Sequence, residues 1–271
     1  MAQDPRSVRW ARVLLALTLL APATAFVGVA GVQIGGWDWT TGYSLLAMRV
    51  GLAFAALGAV AAIGGLIVAL GERKAWPLAL IGLIAGGATA TVYGLHIGSH
   101  GLPVAGVTAT FADVTTNPAE PPVFSGPLAG DRVAAGAPNG AAGAFATCEA
   151  VSAPTQVAPS VAAYALQEAG FTILGTGVGR ADGTRTGFWF GFKHDAVIRI
   201  RPGQTDVRVA SREARSDGGE ACRLLQKIVS NLQAPELVAL SVGSPSLKAR
   251  PSVTSLIRWA QTERRAAGQS R

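Results

Sequence analysis

The stretch DAVIRIRPGQTDVRVASR, residues 195–212, sets four arginines, two aspartates and a serine within eighteen residues. Arginine presents a planar fork of N–H donors matched to carboxylate and phosphate, so the chemistry on offer is anion recognition or a ladder of internal ion pairs. Read as a hairpin with Pro202–Thr205 as the turn, the stretch pairs Arg201 with Asp206, Arg199 with Arg208 and Asp195 with Arg212. Alternation then puts Ala196, Ile198, Ile200, Val207, Val209 and Ser211 on an apolar face. Asp195, Val197, Arg199, Arg201, Asp206, Arg208, Ala210 and Arg212 take the other, with four positive and two negative charges. Arg199 opposite Arg208 is a like-charge pair, unfavourable by roughly a few tenths of a kcal/mol or more. Either the flanking aspartates offset it, or an external anion does.

Other reactive groups are sparse. Asp217 with Glu220 three residues on, ahead of an apolar run, is a helix-capping pattern. Cys148 and Cys222 are the only cysteines; outside the cytoplasm they can form a disulfide, and otherwise they are two small buried hydrophobes. His96 and His100 stand one helical turn apart, but no acidic residue accompanies them and the third histidine, His194, is remote. They are expected as interfacial histidines, with no metal. The sequence contains no GxSxG, HExxH, P-loop or Cys-x-x-Cys. An enzyme built on Asp195, Asp206 or Ser211 is the alternative to a binding or assembly module, and no cofactor is expected.

The chain that positions these groups has 271 residues, 49% apolar and 14% charged. Three windows hold no charge: Val13–Trp37, Val50–Gly71 and Ala75–Leu95. Each is long enough for a transmembrane helix, which needs about 20 apolar residues. Ala23-Thr24-Ala25 resembles a signal-peptidase site, but apolar sequence runs on through Ile34, so an uncleaved helix is expected. Arg6, Arg9, Arg12, Arg73 and Lys74 flank the ends expected in the cytoplasm, whereas GGWDWTTGYS between the first two spans has no Lys or Arg. Positive-inside bias then carries everything after about His100 to the far side of the plasma (inner) membrane, into the periplasm or its equivalent. Trp37, Trp39 and Tyr43 suit an outer aromatic belt and Trp76 an inner one. Small residues recur at four-residue spacing, Gly31/Gly35, Gly58/Ala62 and Gly82/Gly86/Ala90/Gly94, as in close helix packing.

The net charge of +7 does not indicate nucleic acid. Residues 101–247 hold 11 basic and 12 acidic groups. The surplus lies in the orientation signals and in residues 248–271, where 6 basic groups meet 1 acidic. The expected partners are the lipid bilayer and an anionic lipid or membrane protein.

Beyond the spans, residues 101–146 read as a Pro/Gly-rich strap and flexible loop, because each Pro pushes its predecessor away from helix. Residues 147–235 read as an α+β domain, an antiparallel sheet with helices packed on one face. TCEAVSA and FTILGTGVG are expected as strands, PTQVAPSVAAYALQEAG as a helix, ADG as a turn and TRTGFWFGF as a strand with Phe188, Phe190 and Phe192 in the core. A helix follows Asp217, and residues 236–271 form a basic tail in which SVTSLIRWAQTERR can be amphipathic.

FADVTTNPAEPPVF, GFKHDAVIRI and DVRVASREARSDGGEACR, in that order over about residues 111–233, together resemble the domain of unknown function (DUF) 1499 family. The resemblance carries over Asp113, Thr115, Thr116, Pro121, Pro122, Phe124, Asp195, Arg199, Asp206, Arg208, Ser211, Arg212, Ser216, Asp217 and Arg223. His194 stands where the family usually has Asp, and Ala221 where it has Asn. The resemblance implies no agreed activity; it implies membrane anchoring or export. The ligand-binding candidates are Asp113, Thr115, Thr116, Asp195, Arg199, Asp206, Arg208, Ser211, Arg212 and Asp217. The strap is expected to pack beside the charged face, with Asp113 or the Thr115 and Thr116 hydroxyls meeting the arginines.

Overall fold

The computed structural model describes residues 6–101, 111–140, 148–149, 152–153 and 155–243, with side chains to residue 234. The expected tail helix around Trp259 lies outside these residues. The chain divides into two compact units, 1–232 and 233–271, and of the second only the continuation of a helix to Gly243 is described.

Among the described residues, three helical segments are long and apolar enough to cross a membrane: Arg6–Gln33, Thr40–Gly71 and Arg73–His100. At 1.5 Å per residue the 28-residue segments extend about 42 Å, against a hydrocarbon core of about 30 Å. The first comprises α1 (Arg6–Thr18) and α2 (Leu20–Gln33). Pro22 accounts for the break at Leu19, because it has no N–H for the Thr18 carbonyl and its ring crowds that turn. The second opens as a π-helical stretch, Thr40–Val50, and continues as α3 (Gly51–Gly71). A 3₁₀ turn at Arg73–Ala75 leads into α4 (Trp76–His100). The small residues serve these contacts unequally. A Cβ at Gly58 would meet Thr18 Cα at 3.1 Å and one at Gly86 would meet Ala62 Cβ at 3.2 Å, whereas Gly94 has nothing within 4 Å.

The sheet domain has the expected α+β layout. Its five strands are β1 (Phe111–Thr115), β2 (Thr172–Gly177), β3 (Arg180–Thr186), β4 (Lys193–Arg201) and β5 (Gln204–Ala214), all antiparallel in the order β1-β5-β4-β3-β2. Three helices belong to it: α5 (Gly126–Ala134), α6 (Pro159–Glu168) and α7 (Glu220–Gly243). Ala181, Ala196, Ile198, Ile200, Val207 and Val209 share one core with Ala162, Ala165 and Leu166 of α6 and Leu225, Ile228 and Leu232 of α7. Each large side chain so buried stabilises the fold by roughly 1.5–3 kcal/mol. Gly170, at φ 89°, ends α6, and the Phe171 N–H bonds back to the Leu166 carbonyl. Cys148 and Cys222 are joined by a disulfide, with their Cα atoms 5.6 Å apart.

Five local expectations are corrected. The β4–β5 turn is the two-residue Pro202-Gly203, with Gly203 at φ 76°. Arg201 therefore faces Gln204, Arg199 faces Asp206, and Val197 faces Arg208. A slip of two residues preserves both faces but removes the Arg199–Arg208 opposition. Ala181-Asp182-Gly183 lies inside β3, and Gly183 marks the close passage of Phe171, whose Cβ would sit 3.1 Å from an added one. Residues 187–192 form the β3–β4 loop rather than a strand, because pairing ends at Thr186 with Lys193; Phe188 and Trp189 are exposed. The expected strand at 147–153 is reduced, among the described residues, to one bridge between Ala153 and Thr205. The stretch expected as flexible loop also contains α5, whose Leu128 packs with Phe124, Val197 and Ala210 on the face away from α6 and α7.

Candidate functional site

The second face of the sheet is roofed by the strap and α5, and its charges are paired beneath that roof. Arg208 is fully buried and engages all five of its N–H donors. Nε and one terminal nitrogen grip the Asp113 carboxylate at 2.9 and 2.6 Å; the others reach the carbonyls of Pro122, Asn139 and Gly140. One arginine thus ties β5 to β1, the strap and the segment after α5. Asp195, also fully buried, accepts from Arg132 at 2.9 Å, from Arg212 at 2.6 and 3.1 Å, and from the Thr184 hydroxyl at 3.0 Å. Arg132 also donates to the Pro138 carbonyl from two nitrogens and to the Ser211 carbonyl at 3.2 Å, and Arg212 reaches Asp131 at 3.3 Å. The Phe124 ring lies beside both the Arg132 and Arg208 guanidiniums, 4.3 and 4.6 Å from its centroid. Three arginines meet three aspartates, and the layer closes near neutrality. Burial lowers the Arg132 pKa against the pull of Asp195; burial also opposes the Arg212 charge, but Asp195 and Asp131 more than offset it and raise its pKa.

Strap hydroxyls do something else. Thr115 donates to the Val207 carbonyl at 3.0 Å, and Thr116 Oγ1 accepts from the Val207 N–H at 2.9 Å, so the pair splices the strap to the edge of β5. Neither meets an arginine. Ser211 accepts the Ala112 N–H at 2.8 Å, where the β1–β5 register shifts, and donates to the Glu213 carbonyl. Its hydroxyl repairs a bulge.

Towards the β4–β5 turn the roof ends. Arg199 and Arg201 each hold buried Asp206, at 2.9 and 2.7 Å, on one side. On the other they share Glu120, which is 64% exposed: Arg201 meets its carboxylate at 2.5 Å and Arg199 its backbone carbonyl at 2.6 Å and its carboxylate at 3.4 Å. The Nε atoms of both arginines are buried and have no hydrogen-bond partner among the described residues. Arg180, opposite Arg199 on β3, pairs with Asp182 at 2.6 Å.

At the other end of the sheet lies Asp217. Its carboxylate accepts from the N–H groups of Gly219 (3.0 Å) and Ala221 (2.7 Å) and so caps α7. Burial resists its ionisation, but His194 and these two donors prevail and bring its pKa down from 3.8 to about 2. His194 Nε2 stands 3.8 Å away, an electrostatic contact beyond hydrogen-bond length, so the backbone donors are the firm partners. His194 and Ala221 therefore meet at one carboxylate. Beside them Arg215 lies buried over the Phe192 ring at 3.4 Å and donates to the Ser216 carbonyl, and desolvation lowers its pKa. His96 and His100 stack at 4.1 Å, His96 shares a hydrogen bond of 2.8 Å with Tyr43, and the His100 ring abuts Gly218.

The candidate residues thus fall into separate places: Asp113, Asp195, Arg208 and Arg212 in the roofed layer, Thr115, Thr116 and Ser211 in backbone splices, Arg199 and Asp206 at the rim, and Asp217 at a helix cap. Asp195, Asp206 and Ser211 are each fully buried. Sequence reasoning missed Arg132, Phe124 as the ring between guanidiniums, and Glu120. Arg132 had a signal, as the only basic residue in 101–146. Residues 113–232 match the family model described as Protein of unknown function (DUF1499). No curated protein and no solved structure matches the chain.

Proposed function

We propose that this chain is a membrane-anchored binding module whose sheet domain lies outside the cytoplasm and takes an anionic group at the open rim of its arginine face. The match to a family of unknown function supplies no activity, so the reading rests on geometry. Its orientation is supported by where the charges fall. Ala11, Ala69, Ala75 and Ala79 pack together, which gathers Arg6, Arg9, Arg12, Arg73 and Lys74 toward one end of the helices. The sheet domain meets the opposite end, at Gln33, Trp39 and Tyr43.

The observation that carries the binding role is Glu120 in the grip of Arg199 and Arg201. A solvent-exposed carboxylate on a Pro-flanked strap already occupies a fork of two arginines that are themselves partly open to solvent. Exposed pairs of this kind contribute about 0–1 kcal/mol, so an incoming carboxylate or phosphate displaces Glu120 cheaply. The roofed arginines hold no such exposed, exchangeable partner. The rim also lies at the far end of nine-residue β4 from the loop at the helix ends, roughly 26 Å along the strand. That favours an anion borne by a solute or a protein over a headgroup of the same bilayer.

The test is a thermal-shift titration of the detergent-solubilised full chain with phosphate and, separately, citrate, against chloride at matched ionic strength. Phosphate or citrate should raise the melting temperature beyond chloride, Glu120→Gln should enlarge the response, and Arg199→Gln/Arg201→Gln should abolish it. A chloride-sized response, or one that survives loss of both arginines, overturns the proposal.

A further inference from the structure

The β3–β4 loop, Gly-Phe-Trp-Phe-Gly-Phe at 187–192, divides its aromatic side chains between two environments. Phe190 and Phe192 pack edge-on against Tyr43 at 5.2 and 5.1 Å, and Phe192 also meets Trp39 at 5.8 Å. Phe188 and Trp189 are 79% and 66% exposed. Gln33, the last residue of α2, donates its side-chain amide to the Phe188 carbonyl and, at 3.2 Å, to the Trp189 carbonyl. The exposed pair is therefore tethered beside the ends of two segments long and apolar enough to cross a membrane. Ile34 (82% exposed) and Trp37 follow Gln33 closely in the chain. The loop thus adds its aromatic side chains to those at the helix ends. Trp and Phe at this level belong to the interfacial layer, where an amphipathic ring satisfies both headgroup water and acyl chain.

We infer that Phe188 and Trp189 enter the headgroup–acyl boundary of the bilayer, so that the sheet domain is seated on the membrane by its own β3–β4 loop as well as by its covalent link to α4. The inference rests on the reading that the three helices span a membrane. The occupant of the exposed pair is lipid: the loop is contiguous with the helix ends, and its backbone is held there by Gln33. Seating of this kind fixes the height of the arginine rim above the lipid.

The test uses the disulfide to advantage. With Cys148 and Cys222 bridged, Trp189→Cys supplies one free thiol for an environment-sensitive fluorophore, and Val178→Cys does so at the β2–β3 turn, the opposite end of the sheet, where Val178 is 88% exposed. Both full-length variants are reconstituted into phosphatidylcholine vesicles carrying doxyl-labelled lipid, and Phe188→Cys gives an independent copy of the readout should Trp189→Cys fold poorly. The probe at 189 should show a blue-shifted emission and lose intensity to the doxyl groups; the probe at 178 should do neither. Equal responses at both positions overturn the inference, as does a blue shift at 189 without lipid quenching, which would mean that a second copy of the chain covers the loop. Vesicle flotation after carbonate extraction separates the two readings. A chain that fails to float removes the spanning helices and the loop together, whereas one that floats with an aqueous, unquenched 189 probe removes only the loop.

Discussion

Arg208 and Arg201 present the same chemistry from adjacent strands of one sheet face, yet they live in different regimes. Arg208 is sealed, with five donors engaged and Asp113 held at 2.6 Å; Arg201 is 31% exposed, leaves its Nε unpartnered and divides itself between buried Asp206 and exposed Glu120. The difference is the roof. Phe124 and α5 cover the centre of the face, while at the rim the exposed Glu120 reaches across to both arginines. Low dielectric strengthens every satisfied pair in the centre and makes every missing partner expensive. At the rim water screens the same pairs until exchange is easy. Residue type marks where anion chemistry is available; burial decides whether the fold has already used it.

The most severe way to break this contrast is to remove one partner from the centre. Arg208→Ala or Asp113→Ala leaves a buried charge without its counterpart, and each should destabilise the sheet domain by about 3–5 kcal/mol, read by thermal or denaturant unfolding. The double variant should fall far short of the sum of the singles, because one broken pair is already broken. Additive losses would mean that the strap is held by its carbonyls and by Thr115 and Thr116, and that the roofed pair is incidental.

How much of this was legible depended on whether the determinant was local. The two faces of β4 and β5 follow from alternation alone, and they survived a turn drawn two residues too long because an even slip keeps every side chain on its side. The three long apolar helices and the α7 start were equally local. The roof was not. Arg132 pairs with Asp195 across 63 residues of chain, and nothing in GPLAGDRVA announces that partner. GFWFGF misled for a related reason: its alternation suits a strand, but its phenylalanines meet helix ends more than 140 residues earlier in the chain. Ser211, Thr115 and Thr116 have the composition of reactive groups and the task of mending a ladder, a distinction visible only once the register is known.

Asp217 stands between the two regimes, largely buried but held by backbone rather than by a charged fork. Its pKa is depressed to about 2 in the fold. A depressed carboxylate stabilises fully above its unfolded value near 4 and loses that contribution as pH falls toward 2; the shift corresponds to a contribution on the order of 2 kcal/mol. Asp217→Asn keeps a capping oxygen and removes the ionisation. Its stability deficit should be present at pH 6 and vanish as both proteins are taken from pH 4 to pH 2 in parallel unfolding curves. A deficit independent of pH would assign the carboxylate a purely geometric capping role.

The smallest effect draws the boundary itself, which runs through the Arg201 guanidinium. Glu120→Gln removes the exposed half of its pairing and should alter unfolding free energy by no more than about 1 kcal/mol. Asp206→Asn removes the fully buried half and should cost several times as much, since two arginines lose their charge partner where water cannot replace it. Added salt should erase the Glu120 effect and leave most of the Asp206 effect, because screening acts on charges that solvent reaches. Were Glu120→Gln as damaging as Asp206→Asn, the strap would be closed over the rim as firmly as over the centre, and the fork would have no room for an outside anion. A near-silent Glu120→Gln beside a damaging Asp206→Asn would instead show one arginine serving the fold with one edge and remaining free to exchange partners with the other.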